Sequence, residues 1–169
     1  MRMAAPLGTI PNGSDLLIDT NVFIYGLSGS SPQCKECLRR CSIEQVTGIT
    51  LYEVIEESTH HFMLGEFRSK NPAQARPVNY LAAHPEEVKT LTEYWVNTQR
   101  LLALNLVLLP MEEKILSRAH QERLAAGLMT NDSVIVAAMR EYGILNIATA
   151  DRGFNTVAGI SVFYPTDLP

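Results

Sequence analysis

Four acidic residues stand where the chain changes from a predicted strand to a predicted helix: Asp19, Glu53, Asp132 and Asp151. The carboxyl ends of parallel strands meet at one edge of an α/β sheet, where ligands bind, so we expect these side chains to converge there. Two carboxylates about 4 Å apart repel one another by roughly 4 kcal/mol at an effective dielectric near 20. A divalent cation offsets that repulsion, and carboxylate oxygens with room for water favour Mg²⁺ or Mn²⁺.

Such a metal site indicates metal-assisted hydrolysis of phosphodiester bonds. A bound divalent cation lowers the pKa of water and stabilises charge on a phosphoryl group. Glu53 would then orient or deprotonate the attacking nucleophile through a water molecule. We choose Glu53 over Glu56 and Glu57 because it lies closest to the end of the preceding strand.

Each acid also has a purely structural explanation. Asp19 is a good N-cap residue, and the segment from Thr50 to Glu53 matches the capping box. The helix dipole would favour the negative charge of Asp132 in the first turn of its helix, and Asp151 precedes a turn glycine. Capping explains each position well, but it explains less well why all four acids fall at strand-to-helix junctions.

The elements that must position these acids alternate between strands and helices. Short apolar runs predict strands at about 15–19, 46–50, 106–109, 145–150 and 159–164. Helical spacing predicts helices from about residue 21 and at about 32–42, 51–67, 85–105, 111–126 and 131–142. This alternation predicts an α/β fold with mostly parallel pairing and right-handed crossovers.

The chain of 169 residues suits one domain, residues 1–169, with a sizeable core. A hydrophobic content of 46% excludes a disordered chain. We predict that residues 1–13 form a flexible lead and that residues 68–84 form a loop or insertion. Trp95 and Leu102 are predicted core residues of the helix 85–105.

Charge, hydropathy and cysteine content limit the kinds of partner and the cellular location that we expect. The net charge of −4 argues against a broadly basic nucleic-acid coat, but it permits a local basic groove. No apolar stretch reaches the roughly 20 residues that span a bilayer, and the N-terminus does not resemble a signal peptide. We therefore expect no membrane association. Cys34, Cys37 and Cys41 share one helical face and are predicted to be buried, reduced thiols, which favours a cytoplasmic location.

Several ordered motifs together resemble the PIN-domain nucleases, and particularly their VapC-type toxins. The resemblance rests on Leu17-Ile18-Asp19-Thr20-Asn21-Val22 and on Thr50-Leu51-Tyr52-Glu53. It continues through Asn131-Asp132-Ser133-Val134-Ile135-Val136-Ala137-Ala138 and Ala148-Thr149-Ala150-Asp151-Arg152-Gly153-Phe154. Each motif alone is weak, but the ordered set covers most of the chain and is specific.

The resemblance implies a three-layer α/β/α sandwich and an Mg²⁺- or Mn²⁺-dependent endoribonuclease. By that likeness, Asp19, Asp132 and Asp151 would hold the metal and Glu53 would complete an acidic quartet. Asn21 and Thr149 would support the metal-binding side chains. It further implies an RNA substrate, a homodimer, and a toxin silenced by a cognate antitoxin.

Other functions remain open at this stage. The chain could be a housekeeping RNA-processing nuclease, or a non-catalytic RNA-binding scaffold that keeps its acids for metal or caps. A phosphohydrolase using an aspartyl-phosphate is disfavoured, because position 21 is Asn where that chemistry needs a second Asp. Basic residues that could contact RNA phosphates are Arg39, Arg40, Arg68, Lys70 and Arg76, although solvated surface explains them equally well. His60 and His61 are interpreted as helix-face residues.

Overall fold

The fold is built on a single parallel sheet, seen in a computed structural model that describes residues 4–168. Its strands within that range are β1 (Ala5–Pro6), β2 (Asp15–Ile18), β3 (Thr47–Leu51), β4 (Val107–Leu109), β5 (Asn146–Ala148) and β6 (Ser161–Tyr164). They lie in the order β1-β6-β5-β2-β3-β4, and every neighbouring pair is parallel. The predicted parallel pairing is confirmed.

Helices cover the sheet and complete the predicted three-layer α/β/α arrangement. They are α1 (Thr20–Ser28), α2 (Pro32–Ser42), α3 (Tyr52–Lys70), α4 (Pro77–Ala83), α5 (Pro85–Val88), α6 (Glu93–Leu102), α7 (Glu113–Ala126) and α8 (Thr130–Tyr142). Helices α1, α2, α3 and α6 form one connected group, and α7 packs on α8. Because the crossovers on the two sides of β2 run in opposite directions, right-handed connections place these groups on opposite faces.

The centre of the sheet carries the most deeply buried residues. Strand β2 lies between β3 and β5, and Leu16, Leu17 and Ile18 are fully buried. A strand that is covered on both faces reads as a continuous apolar run, which is the pattern seen before Asp19. Burial of this run fixes the position at which the chain leaves the sheet, and therefore the position of Asp19.

The predicted helix 85–105 is wrong, because it is broken into α5 and α6. The carboxylate of Glu66 accepts hydrogen bonds from the backbone N–H groups of Thr92 (2.9 Å) and Tyr94 (2.9 Å), which starts a new helix there. Trp95 and Leu102, predicted as core residues, are each 50% exposed. Helical spacing counted from residue 85 also marks Leu91 and Leu101, which are 6% and 0% exposed, so it identified only part of the buried face.

The predicted flexible lead, residues 1–13, is also corrected where the structure describes it. Residues 1–3 lie outside the described range, but β1 pairs with β6 at the edge of the sheet. Leu7 and Ile10 are buried in the main core. The apolar side chains after β1 cover the outer part of the sheet, and that contact orders the segment.

Most of the predicted loop 68–84 is helical. Residues 68–70 complete α3, and α4 begins with Pro77 at its first position, where proline is well tolerated. A small second cluster of Leu64, Phe67, Leu81 and Leu91 holds α4 against α3. Only residues 71–76 lie between the two helices. Among the described helices, none is long and apolar enough to span a membrane.

Candidate functional site

Three of the four predicted acids line one cleft at the carboxyl edge of the sheet. Asp19, Asp132 and Asp151 surround a volume of about 370 Å³, together with Glu57. Asp19 follows β2, Asp151 follows β5, and Asp132 lies in the first turn of α8. The two neighbouring parallel strands therefore deliver two of the acids, as expected for this edge of an α/β sheet.

Asp19 is held in place by uncharged donors. Its Oδ1 accepts a hydrogen bond from the backbone N–H of Thr20 (2.7 Å). Its Oδ2 accepts hydrogen bonds from the Nδ2 of Asn21 (2.6 Å) and the Oγ1 of Thr149 (2.6 Å). Asp19 is only 7% exposed, so these bonds fix a buried carboxylate without neutralising it.

The chain also ties the ends of β2 and β5 together around this carboxylate. The Oδ1 of Asn21 accepts a hydrogen bond from the N–H of Ala150 (2.7 Å), and the Oγ1 of Thr149 accepts one from the N–H of Asp151 (2.9 Å). The Oδ1 of Asp151 in turn accepts from the N–H of Gly153 (2.6 Å). Asn21 and Thr149 thus contact Asp19 directly, and their supporting role stays a prediction.

The electrostatics of the cleft disfavour negative charge. Burial raises the pKa of Asp19 to about 6, with smaller increases from the charges of Asp132 and Glu57, against the opposing effect of its hydrogen bonds. Burial also raises the pKa of Asp132, helped by Asp151 and Glu57. Across residues 4–168, no lysine or arginine forms an ion pair with any of these aspartates. The acids therefore repel one another with no internal cation between them.

Glu57, rather than the predicted Glu53, lines the cleft with the aspartates. The Oε2 of Glu57 accepts hydrogen bonds from the Oγ1 of Thr20 (3.0 Å) and the Nδ2 of Asn131 (3.4 Å). The choice between the two glutamates depended on closeness to the strand end. Spacing of four residues on α3 places both on one helical face, and that signal could have included Glu57 as well.

Glu53 lies one turn earlier and lines an adjoining cavity of about 210 Å³, which shares Glu57, Asn131 and Ile135 with the cleft. Its Oε2 is buried and has no hydrogen-bond partner within the part of the chain that the structure describes. An unpartnered buried carboxylate oxygen is costly, and it indicates a missing water, ion or donor. The catalytic role of Glu53 stays a prediction.

The acidic side chains of the cleft are the available donors for a metal ion. No three His, Cys, Asp or Glu side chains within residues 4–168 lie close enough to hold an ion as they stand. The donor chemistry nevertheless suits Mg²⁺, which keeps several waters and binds proteins through one or two carboxylates. The raised pKa of Asp19 and the unpartnered oxygen of Glu53 both favour a bound cation here.

The remaining predicted residues lie elsewhere or pair within the protein. Arg39 forms an ion pair with Glu36, and Lys70 forms one with Glu66. Arg40 donates hydrogen bonds to the carbonyl of Ile10 and to Asn12, while Arg68 and Arg76 are exposed. His61, interpreted as a helix-face residue, is exposed on α3 and also lines the cleft, with its Nε2 3.9 Å from Glu57.

The three cysteines confirm the interpretation of buried thiols. Cys34, Cys37 and Cys41 are all free and buried, and they belong to the core on α2. Burial raises the pKa of the Cys34 thiol to about 11, which makes it unreactive at neutral pH.

Solved structures with the same fold include three toxins or toxin–antitoxin assemblies. VapBC2 from Rickettsia felis, bound to a DNA fragment from its promoter, has a TM-score of 0.56 at 13% identity, over 89% of this chain and 98% of that one. A toxin–antitoxin complex from Klebsiella pneumoniae has a TM-score of 0.52 at 15% identity, over 90% and 98%. VapC20 from Mycobacterium tuberculosis, described as a Sarcin-Ricin loop cleaving toxin, has a TM-score of 0.57 at 12% identity, over 86% and 96%.

Sequence comparison gives the family. No curated protein sequence matches the chain. The sequence profile of the PIN domain matches residues 16–160, a range that includes Asp19, Glu53, Asp132 and Asp151. Since this match covers well over half of the chain and the fold agrees with it, the chain belongs to the PIN domain family.

Proposed function

We propose that this PIN-domain chain is a divalent-metal-dependent endoribonuclease that hydrolyses phosphodiester bonds in RNA. The observation that carries the proposal is the cleft lined by Asp19, Asp132 and Asp151, with which no lysine or arginine in the described range forms an ion pair. Burial, with smaller contributions from the neighbouring acids, raises the pKa of Asp19, and a metal ion would offset both effects. The same ion suits a phosphate-bearing substrate.

Asp19, Asp132 and Asp151 would hold Mg²⁺ or Mn²⁺. The ion would supply charge stabilisation at the phosphoryl oxygens and would lower the pKa of a water molecule. Thr149 and Asn21 keep the Oδ2 of Asp19 in one orientation through hydrogen bonds that leave its charge intact. Such support around a metal ligand commonly matters for affinity as much as the ligand itself.

The glutamates of α3 would serve the nucleophile. The unpartnered Oε2 of Glu53 can accept a hydrogen bond from a water molecule and orient or deprotonate it. Glu57 contributes a fourth negative charge at the cleft wall, held by Thr20 and Asn131. Together the two glutamates extend the acidic surface from the cleft into the adjoining cavity.

We further propose that the chain acts as a toxin, silenced by an antitoxin, and that it forms a homodimer in the cytoplasm. The VapBC assemblies among its structural neighbours support this assignment over a housekeeping nuclease. We expect a small open reading frame for a DNA-binding protein next to the gene of this chain. Expression of this chain should inhibit growth, and co-expression of the small protein should relieve that inhibition. An isolated gene whose overexpression leaves growth unchanged would favour the housekeeping role.

The activity itself is tested with a labelled single-stranded oligoribonucleotide. We expect cleavage with added Mg²⁺ or Mn²⁺, no cleavage with EDTA, and no cleavage by Asp19→Asn under either condition. Asp15→Asn is the matched control, because Asp15 is an exposed acid at the opposite end of the same strand. Cleavage that persists in a pure Asp19→Asn preparation would refute the assignment, and tight RNA binding without turnover would favour a scaffold.

A further inference from the structure

A second cavity lies directly beside the acidic cleft. It has a volume of about 330 Å³, and it shares Tyr25 and Asp151 with the cleft. Its walls also include Arg152, Asn155 and Tyr164. Tyr164 ends β6 and Arg152 follows β5, so the cavity continues the same carboxyl edge of the sheet past the acids.

Four polar side chains of this second cavity make no hydrogen bond or ion pair with any residue that the structure describes. Within residues 4–168, the guanidinium of Arg152 has no ion pair or hydrogen bond, and it lies 5.6 Å from the ring centroid of Tyr164. The hydroxyls of Tyr25 and Tyr164 and the amide of Asn155 also lack hydrogen-bond partners there. Among the other described arginines, Arg39 and Arg118 are paired with glutamates, whereas Arg68 and Arg76 are exposed and, like Arg152, have no such partner.

We infer that this cavity is a nucleotide subsite, which binds the RNA nucleotide next to the bond that is cleaved. The inference rests on the proposed function and deepens it by naming the residues that hold the substrate. Tyr164 would offer an aromatic surface for the base, and Arg152 a cation for the adjacent phosphate. Asn155 would provide both a donor and an acceptor for the edge of the base.

The position of Arg152 supports a nucleotide over a simple anion. Arg152 lines the same cavity as Asp151, which also lines the acidic cleft, so a phosphate bound by Arg152 in this cavity would lie beside the acids. The neighbouring aromatic surface would be unused by a free phosphate, whereas successive bases of a single strand stack on such rings. The volume is also within the range of small-ligand sites.

The test measures RNA binding by fluorescence anisotropy in the cleavage-silent Asp19→Asn chain. The probe is a labelled single-stranded oligoribonucleotide, together with a series that carries one abasic residue at successive positions. Replacing Tyr164→Leu or Arg152→Gln is expected to weaken binding at least about fivefold, the lower bound for loss of one stacked base. Tyr164→Phe keeps the ring and should bind like the parent. Arg100→Gln should do the same, because it removes an exposed charge from the last turn of α6, which leads into the amino end of β4.

The abasic series separates the subsite from a general loss of structure. One abasic position should weaken binding to the parent chain, and the same position should have no further effect in Tyr164→Leu. Unchanged affinity in both Tyr164→Leu and Arg152→Gln, or an abasic effect that persists in Tyr164→Leu, overturns the subsite. Binding is measured without turnover, so this test is independent of cleavage. If the variants and the abasic series give the expected pattern but the chain with Asp19 intact cleaves no RNA with Mg²⁺ or Mn²⁺, the nuclease proposal fails and the subsite stands.

Discussion

Asp19 and Glu66 are buried carboxylates that differ in their hydrogen-bond partners. Both are buried, but Glu66 is paired with Lys70 at 2.6 Å, whereas Asp19 has only uncharged donors. Burial raises the pKa of Glu66, yet Lys70 and two backbone N–H groups outweigh it and leave that pKa below its ordinary range. The pKa of Asp19 stays raised, so its charge remains available to a cation.

Substitution of the glutamates on α3 tests which of them serves the cleft. Glu57→Gln removes a negative charge that lines the cleft, so we expect metal-dependent RNA cleavage to fall by about 10- to 100-fold. Glu56→Gln is the control on the same helix, because Glu56 is exposed and does not line the cleft. Cleavage rates at limiting Mn²⁺ give the comparison, with Glu53→Gln measured alongside. Equal rates for Glu57→Gln and Glu56→Gln would remove Glu57 from the site.

The hydroxyl of Thr149 is expected to set the metal affinity of Asp19. Thr149→Val removes the donor to the Oδ2 of Asp19 and the acceptor for the N–H of Asp151, so the Mn²⁺ affinity should weaken about 10-fold or more. Thr50→Val is a matched control, since Thr50 is equally buried and donates to the carbonyl of Ile18 (3.0 Å). Calorimetric titration with Mn²⁺ should show weaker binding only for Thr149→Val. The same loss in both variants would indicate a general effect on the core.

At the scale of elements, the start of α6 depends on a side chain from another helix. The carboxylate of Glu66 on α3 accepts hydrogen bonds from the backbone N–H groups of Thr92 and Tyr94. N–H groups at the start of a helix such as α6 have no partner within the helix itself. The side chain of Thr92 makes no capping hydrogen bond, so the carboxylate of Glu66 takes the place of a local cap. The break between α5 and α6 is therefore a tertiary feature.

Glu66→Gln should lower the free energy of unfolding by about 1–3 kcal/mol near neutral pH, because it removes the charge from buried hydrogen bonds. The pKa of Glu66 is lowered in the folded state, so its stabilisation is present above the ordinary value of 4.5 and is lost as the pH falls through the lower folded-state pKa. Urea unfolding at several pH values should show the difference between wild type and variant shrinking in acid. Exposed Glu86→Gln is the control, and a pH-independent difference would contradict the linkage.

At the scale of the whole molecule, the site lies where the order of strands reverses direction. From β2 the chain proceeds to β3 and β4 on one side, and β5 and β6 are added on the other. Crossovers that leave in opposite directions open a crevice at the carboxyl ends of the central strands. Asp19 and Asp151 sit at the ends of β2 and β5, the two strands that border this crevice. The topology therefore accounts for a cleft between helices from both faces.

The N-terminal segment is expected to belong to the cooperative fold. Leu7→Ala should lower the free energy of unfolding by about 2–5 kcal/mol, because Leu7 is 1% exposed and joins the main core. Leu124→Ala is the matched control, since Leu124 is 77% exposed on α7. Equilibrium urea unfolding checks the pair. Equal stability of both variants would restore the flexible lead.

The sequence by itself was enough for five of the six strands in the described range and for bringing Asp19, Asp132 and Asp151 to one cleft. Burial on both faces of a central strand requires an uninterrupted apolar run, and the polar residue that follows marks the strand end, as at Asp19 after β2 and Thr149 after β5. Glycine at position 127 and glycine at position 143 ended α7 and α8 as expected, because both adopt positive φ. These features depend on local chemistry, which the sequence contains in full.

Only the tertiary structure placed Glu57 at the cleft and Glu53 in the adjoining cavity, ordered residues 5–10 on the sheet, and broke the helix at 85–105. Each outcome depends on a distant partner: Thr20 and Asn131 for Glu57, β6 for the N-terminal strand, and Glu66 for the start of α6. Hydrogen bonds and packing between segments far apart in sequence leave no periodic signal in either segment. That is why local patterns located the edge of the sheet but left the makeup of its cleft to the fold.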